Sequence, residues 1–220
     1  MPRLFLGTYL AAEQKDSLCS LIDGNADLAK RWRCRIRCVQ PAKLHLTWMF
    51  LGEVEKSSLE NLIEAIQEAL SGASSPGTMV LDRLQVWFVK GAPRHLVLTP
   101  SAVASEFLDL IEHLRRRLMD FVAPDYRAQA KGPFSPHVTL MRFEKADKMA
   151  DGLPIMQKQP DRHPFARSGS LRSKELASDA IRGMKDIGPL YLKLGDVELI
   201  ESKSEKGVHL YHSLKTFPLS

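Results

Sequence analysis

The sequence predicts an α+β fold, and three observations support that prediction. Segments with the two-residue alternation of strands and segments with the 3.6-residue period of helices occur in near-equal measure. Strands follow one another as hairpins instead of alternating strictly with helices, which favours α+β over a parallel α/β sheet. With 220 residues, 44% hydrophobic and 26% charged, the chain has the composition of a soluble globular protein. This length corresponds to one large domain or two small ones.

Charge and cysteine usage bear on the partners and the compartment. The net charge of +5 and the pI near 9.1 mildly favour a polyanionic partner. Cys19, Cys34 and Cys38 are odd in number and lack paired metal-ligand spacing, which is typical of a reducing compartment. Apolar runs fall short of the roughly 18 residues that span a bilayer, and the start does not resemble a signal peptide. We expect a cytoplasmic monomer without membrane association.

The first half of the chain predicts three strands and two helices. Residues 3–10 have strand composition, and a helical period begins at Ala11. Residues 31–38 alternate arginine with apolar side chains, which predicts a half-buried strand with a basic exposed face. A strand at 44–51 precedes a helix that Ser57 or Ser58 can cap. The apolar positions expected to face the core are Leu18, Leu21, Ile22, Leu28, Trp32, Cys34, Ile36, Cys38, Leu59, Leu62, Ile63, Ile66 and Leu70.

The second half repeats this order of elements. Strands are predicted at 78–89 and 94–99, and a helix capped by Ser101 then runs to about Met119, followed by a strand at 136–143. The helix would bury Phe107, Leu110, Ile111, Leu114 and Leu118. Residues 144–188 show no sustained period and contain several Pro and Gly, so they predict a long loop insertion. A hairpin of strands 190–202 and 208–217 ends the chain.

Two short motifs are the candidates for chemistry. His45-Leu46-Thr47 lies in one predicted strand, and His137-Val138-Thr139 lies in another. Because residues i and i+2 of a strand share a face, each motif presents an imidazole beside a hydroxyl. A single such histidine is more often structural than catalytic, but two in matching strand contexts favour a shared site.

Paired imidazoles and hydroxyls suit phosphoryl chemistry. With ordinary pKa values near 6.5, one histidine can act as general base while the other acts as general acid. Two threonine hydroxyls can donate hydrogen bonds to phosphate oxygens. Arg142 has odd spacing from His137, so on an ideal strand it would face away unless a bulge intervenes.

The sequences around both motifs resemble the signatures of the two-histidine phosphoesterases. Leu44-His45-Leu46-Thr47 is followed by Phe50-Leu51-Gly52-Glu53-Val54, and Phe134-Ser135-Pro136-His137-Val138-Thr139 is followed by Leu140-Met141-Arg142. The chain looks most similar to the RNA 2′,3′-cyclic phosphodiesterases, also called 2′-5′ RNA ligases. Supporting similarity extends from Arg3-Leu4-Phe5 to residues 208–214, which is nearly the whole chain.

The resemblance implies a fold, an activity and residue roles. Residues 1–220 would form a single bilobal domain, with two pseudo-twofold-related lobes of antiparallel sheet and flanking helices around a central cleft. The activity would be hydrolysis of RNA 2′,3′-cyclic phosphate ends to 2′-phosphates without metal or other cofactor, with 2′-5′ ligation as the reverse type of reaction. His137 would be the base and His45 the acid. Thr47, Thr139 and Arg142 would bind the phosphate.

The sequence also contains further candidate binding residues and is compatible with other functions. Phe134 precedes the second motif and is a candidate to stack a base at the rim of the cleft, whereas Phe50, Trp87 and Phe88 are expected in the core. Basic stretches at 30–43 and 162–174 could follow an RNA backbone or simply be solvated. The alternatives are a non-catalytic RNA-binding module, a phosphodiesterase for another small cyclic or 2′-5′-linked nucleotide, and a metal-dependent hydrolase. The last is disfavoured because no Asp or Glu occurs at the two motifs.

Overall fold

A computed structural model describes residues 1–23, 35–89, 92–144, 188–205 and 208–220. In these ranges, strands and helices occur in the mixed order that the sequence predicts. The strands are β1 (Arg3–Tyr9), β2 (Arg35–Cys38), β3 (His45–Glu53), β4 (Thr78–Val89), β5 (Ala92–Pro100), β6 (Val138–Glu144), β7 (Leu190–Lys193), β8 (Asp196–Glu205) and β9 (Val208–Pro218). The helices are α1 (Ala12–Asp23), α2 (Leu59–Leu70), α3 (Ser105–Leu118) and α4 (Pro124–Lys131).

All nine of the described strands belong to one antiparallel sheet, in the order β7-β4-β5-β6-β3-β1-β8-β9, with β2 also paired to β6. Strands β3 and β6 meet at the centre of this order through the single register pair Leu46 and Val138. Four strands of this order lie on each side of that junction, and each side contributes one of the two motif strands. The α+β fold class predicted from the sequence is confirmed, and the two motifs lie side by side.

The helices bury their apolar stripes against one face of the sheet. The Trp48 ring of β3 meets the Phe107 ring of α3 edge-on, with centroids 4.9 Å apart. The buried positions repeat every three or four residues along α2 and α3, as the helical period predicts. These positions are Leu62, Ile66, Ala69, Leu70, Phe107, Ile111, Leu114 and Leu118. The opposite face of the sheet carries the two motifs.

Several local predictions are wrong. Ser58 precedes α2 but makes no side-chain capping bond, and α3 begins at Ser105 after Ala104, so Ser101 is not its cap. Cys38, expected to be buried, is exposed at the end of β2, a strand that pairs only with β6 in the described sheet. The short helix α4 has a weak apolar stripe and was not predicted.

Other predictions lie outside the described residues. These are the predicted core positions Leu28, Trp32 and Cys34, the basic segment 162–174 and almost all of the expected insertion at 144–188. Among the helices that the structure describes, none is long and apolar enough to cross a membrane.

Candidate active site

The two His-x-Thr motifs form one square of side chains at the junction of β3 and β6. Leu46 lies opposite Val138, and both are fully buried beneath the sheet. Because neighbouring side chains on a strand alternate, the residues flanking this pair project to the other face. Extending this antiparallel register by one residue in each direction places His45 opposite Thr139 and Thr47 opposite His137. An imidazole and a hydroxyl therefore alternate around the four corners, hereafter the histidine-threonine square.

Both imidazoles are held by the same type of hydrogen bond. His45 Nδ1 lies 2.7 Å from the carbonyl oxygen of Lys43, and His137 Nδ1 lies 2.9 Å from that of Ser135. Since a carbonyl can only accept, each Nδ1 is the protonated donor. The Nε2 atom of each ring is thus the nitrogen available to a substrate. In a neutral ring Nε2 is a base, and in a protonated ring it is an acid.

Burial lowers the pKa of both histidines. The pKa of His45 falls to about 4, mainly because burial disfavours the charged ring, with further lowering by His137 and Arg142 and opposition from the Lys43 carbonyl. Burial also lowers the pKa of His137, against the Ser135 carbonyl. Without a ligand, both rings are therefore neutral near pH 7, and an anion in the square would favour protonation of one of them.

Aromatic side chains from β1 and β9 surround His45 and account for its desolvation. The Phe5 and Tyr211 rings lie 4.9 and 5.4 Å from the imidazole, centroid to centroid, and Tyr9 lies 6.2 Å away. Burial, together with the charges of Glu198 and Tyr211, raises the pKa of Tyr9 to about 12. The Tyr9 phenol therefore stays protonated as a hydrogen-bond donor on this wall.

Gly7 lies opposite Thr47 in the β1–β3 register. A Cβ atom at this position would lie 2.8 Å from the Leu46 carbonyl oxygen and 3.6 Å from His45 Cδ2. Backbone oxygen cannot move aside as a flexible side chain could. The missing side chain thus keeps space open beside the histidine-threonine square.

A β-bulge brings Arg142 to the face of the square. In the β5–β6 register Val97 pairs with Thr139 but Leu96 pairs with Met141, so Leu140 is an extra residue in β6. Leu140 and Met141 are consecutive and both buried, which fits a reversal of the side-chain alternation at a bulge. The bulge reverses the parity of the strand beyond it, and Arg142 therefore shares a face with His137 and Thr139. Its charge accordingly lowers the pKa of His45.

The basic face predicted for 31–38 is described only in part. Arg37 of β2 is exposed and lies opposite Arg142 in the β2–β6 register. The described end of this predicted basic strand thus adjoins the site.

Two side chains of this face were not predicted as site residues. Trp87 was expected in the core, but it is half-buried and its ring centroid lies 4.2 Å from that of His137. Its indole nitrogen donates a hydrogen bond to Gln85 Oε1 at 3.3 Å. His95 is directly opposite Arg142 on one side and Trp87 on the other. The sequence predicts His95 in a strand, but nothing local indicates that this strand neighbours β6.

The Phe134 ring contacts side chains of helix α3. Its ring meets Phe107 edge-on at 5.6 Å, and the Arg115 guanidinium lies over it at 5.5 Å from the centroid. Both partners belong to α3, on the helical side of the sheet. The contacts of Phe134 therefore lend no support to its predicted stacking role.

In the part of the chain that the structure describes, no group of three or more His, Cys, Asp or Glu side chains is arranged to hold a metal ion. The chemistry-bearing groups of the square are two imidazoles and two hydroxyls, with an arginine beside them. Donated by two halves of one antiparallel sheet, they are the groups expected in the site of a two-histidine phosphoesterase.

Comparison with known families agrees with that class. The model of the 2′-5′ RNA ligase superfamily matches residues 24–167, and the chain belongs to this superfamily. The structure is similar to that of TT0787 of Thermus thermophilus, with a TM-score of 0.62 and 21% identity over 99% of this chain and 97% of that one. It is also similar to E. coli LigT in its apo form, with a TM-score of 0.61 and 20% identity over 100% and 98% of the two chains. A search of curated proteins finds no match.

Proposed function

We propose that this protein hydrolyses RNA 2′,3′-cyclic phosphate ends to 2′-phosphates by general acid-base catalysis with two histidines and no metal. The observation that carries the proposal is the matched pair of Nδ1 hydrogen bonds to the carbonyls of Lys43 and Ser135, which leaves both Nε2 atoms for substrate. E. coli LigT, a structural neighbour at 20% identity, has been crystallised with 3′-AMP. A nucleotide phosphate is therefore a ligand of at least one protein with this fold.

In the proposed reaction the cyclic phosphate occupies the histidine-threonine square. The neutral histidine takes a proton from water at Nε2 as the water oxygen bonds to phosphorus. The bond from phosphorus to the 3′-oxygen breaks, and that oxygen takes the Nε2 proton of the second, protonated histidine. Thr47 and Thr139 donate hydrogen bonds to the non-bridging oxygens, and Arg142 offsets the phosphate charge. A 5′-hydroxyl in place of water would give 2′-5′ ligation by the same proton transfers.

The assignment of acid and base has two candidates. The family resemblance makes His137 the base and His45 the acid. The free site favours the reverse, because the aromatic wall and the charge of Arg142 oppose protonation of His45, whose pKa is about 4. A cyclic phosphate with sulfur in place of the 3′-oxygen distinguishes them, since a thiolate leaves without a proton. This substrate should restore turnover to a variant of the acid and not to a variant of the base.

The first test is hydrolysis, in the presence of EDTA, of an RNA ending in a 2′,3′-cyclic phosphate, with separation of the 2′- and 3′-phosphate products. His45→Asn and His137→Asn should each lower turnover at least about 10²-fold, the usual scale for loss of a general acid or base. His212→Asn, at an exposed position of β9, is the matched control and should keep full activity. RNA binding without turnover in the wild type would instead favour the RNA-binding module.

A further inference from the structure

A row of four side chains crosses the sheet beside the histidine-threonine square. Trp87 of β4 is paired with His95 of β5, His95 with Arg142 of β6, and Arg142 with Arg37 of β2. Directly opposed residues of antiparallel strands project to the same face. The row therefore presents an indole, an imidazole and two guanidinium groups side by side. Neither β2 nor β5 contains an acidic residue.

This row adjoins the catalytic histidines. The Trp87 ring packs against His137, with centroids 4.2 Å apart. The charge of Arg142 acts on both His45 and His95, and His137 also acts on His95. A substrate whose reacting phosphate fills the square would thus extend over His95 and Trp87. The proposed reaction assigns no step to either side chain.

The groups in the row are those that bind a phosphate and a base. Guanidinium and protonated imidazole donate charge-assisted hydrogen bonds to phosphate oxygens, and indole offers an aromatic face. Two cationic or titratable groups directly opposed on neighbouring strands repel each other when both are charged. An anion between them converts that repulsion into attraction.

We infer that His95 binds a second phosphate of the substrate, one linkage away from the phosphate in the square. The Arg142 guanidinium, which acts on both His45 and His95, serves both phosphates. This inference rests on the proposed function and names its substrate class: a nucleotide or RNA end that carries a 5′-phosphate group in addition to the reacting one. A nucleoside cyclic phosphate without that group would leave the subsite unfilled.

The surroundings of His95 give the subsite a pH dependence. Burial, and then the charges of Arg142, Arg94 and His137, lower the pKa of His95 to about 4, so this ring is neutral near pH 7 in the free protein. A bound phosphate opposes these charges and favours the protonated ring. The contribution of His95 to phosphate binding should therefore grow as the pH falls from 8 to 6.5.

The test is calorimetric titration with adenosine 2′-phosphate and adenosine 2′,5′-bisphosphate, which differ only in the second phosphate. The wild type should bind the bisphosphate at least about tenfold more tightly, as expected for one charge-assisted hydrogen bond. His95→Gln should reduce this preference to less than about threefold while leaving affinity for the monophosphate unchanged. His95→Lys should keep the preference and lose its pH dependence between 6.5 and 8. His212→Gln, which removes an exposed histidine, is the matched control and should behave as the wild type.

Two results would overturn the inference: a wild type without preference for the bisphosphate, or a His95→Gln variant with the full wild-type preference. Turnover of RNA cyclic phosphate ends by the same preparations tests the proposed function separately. A bisphosphate preference that depends on His95 without any turnover would remove the reaction and keep the subsite. Turnover without that preference would do the opposite.

Discussion

The depressed pKa of His45 predicts a loss of folding stability in acid that one substitution should remove. The pKa is about 4 in the folded protein, against an ordinary value of 6.5. Between these values the unfolded chain binds a proton that the folded chain does not. The stabilising contribution of neutral His45 is therefore fully present above pH 6.5 and is lost as the pH falls toward 4.

The magnitude follows from the two pKa values. At pH 4.5 an unfolded His45 is almost fully protonated, whereas the folded ring is still mostly neutral. The corresponding loss in free energy of unfolding between pH 7.5 and 4.5 is about 2 to 3 kcal/mol. The aromatic wall of Phe5 and Tyr211 is the physical cause, because it separates the ring from water.

The assay is urea unfolding of the wild type, His45→Asn and His212→Asn at both pH values. His45→Asn should lose about 2 to 3 kcal/mol less than the wild type between pH 7.5 and 4.5, because asparagine does not titrate. His212→Asn removes a histidine that is exposed in the fold, and should follow the wild type. Equal pH dependence for the wild type and His45→Asn would refute the argument that burial holds this ring neutral.

Three further predictions concern the site. Thr47→Ala and Thr139→Ala should each lower turnover about 5- to 30-fold through loss of one hydrogen bond to phosphate. Thr→Ser variants at the same positions are the controls, because they retain the hydroxyl. Equal losses in the Ala and Ser variants would contradict this role. Gly7→Ala should lower the free energy of unfolding by about 1 to 3 kcal/mol in a denaturant titration, because the new Cβ meets the Leu46 carbonyl at 2.8 Å. Gly195→Ala is the control and should be tolerated, since its Cβ would meet only a lysine carbon at 3.9 Å. If the two motif histidines act as proposed, kcat/KM should fall about tenfold per pH unit above pH 7, because burial lowers the pKa of both rings. An optimum above pH 7.5 in a pH-rate profile would argue against that origin.

The sequence predicts which side chains of each motif share a face, because this depends only on the alternation of side chains within a single strand. Alternation alone places His45 with Thr47 and His137 with Thr139, and the structure has Leu46 and Val138 buried between them. The joining of β3 to β6 is a long-range pairing that local patterns do not encode. The matching contexts of the two motifs and the family resemblance favoured a shared site, but neither specified this pairing.

The position of Arg142 shows where local reasoning fails. Parity along an ideal strand predicts that Arg142 faces away from His137. The bulge at Leu140 reverses that parity, and it exists because β6 has one more residue than the stretch of β5 beside it. His95 and Trp87 were missed for a related reason, since their place beside His137 depends on which strands are neighbours.

The two halves of the site are alike in backbone and unlike in surroundings, and this difference bears on which histidine is the base and which is the acid. Each histidine donates Nδ1–H to the carbonyl two residues before it, so the scaffold alone makes the two rings equivalent. The neighbours then separate them. His45 is enclosed by Phe5, Tyr9 and Tyr211, while His137 packs on Trp87 next to His95. An apolar enclosure disfavours a proton on His45, whereas a second phosphate beside His137 would attract one there. A substrate with two phosphates should therefore strengthen the asymmetry between base and acid that a symmetric backbone does not supply.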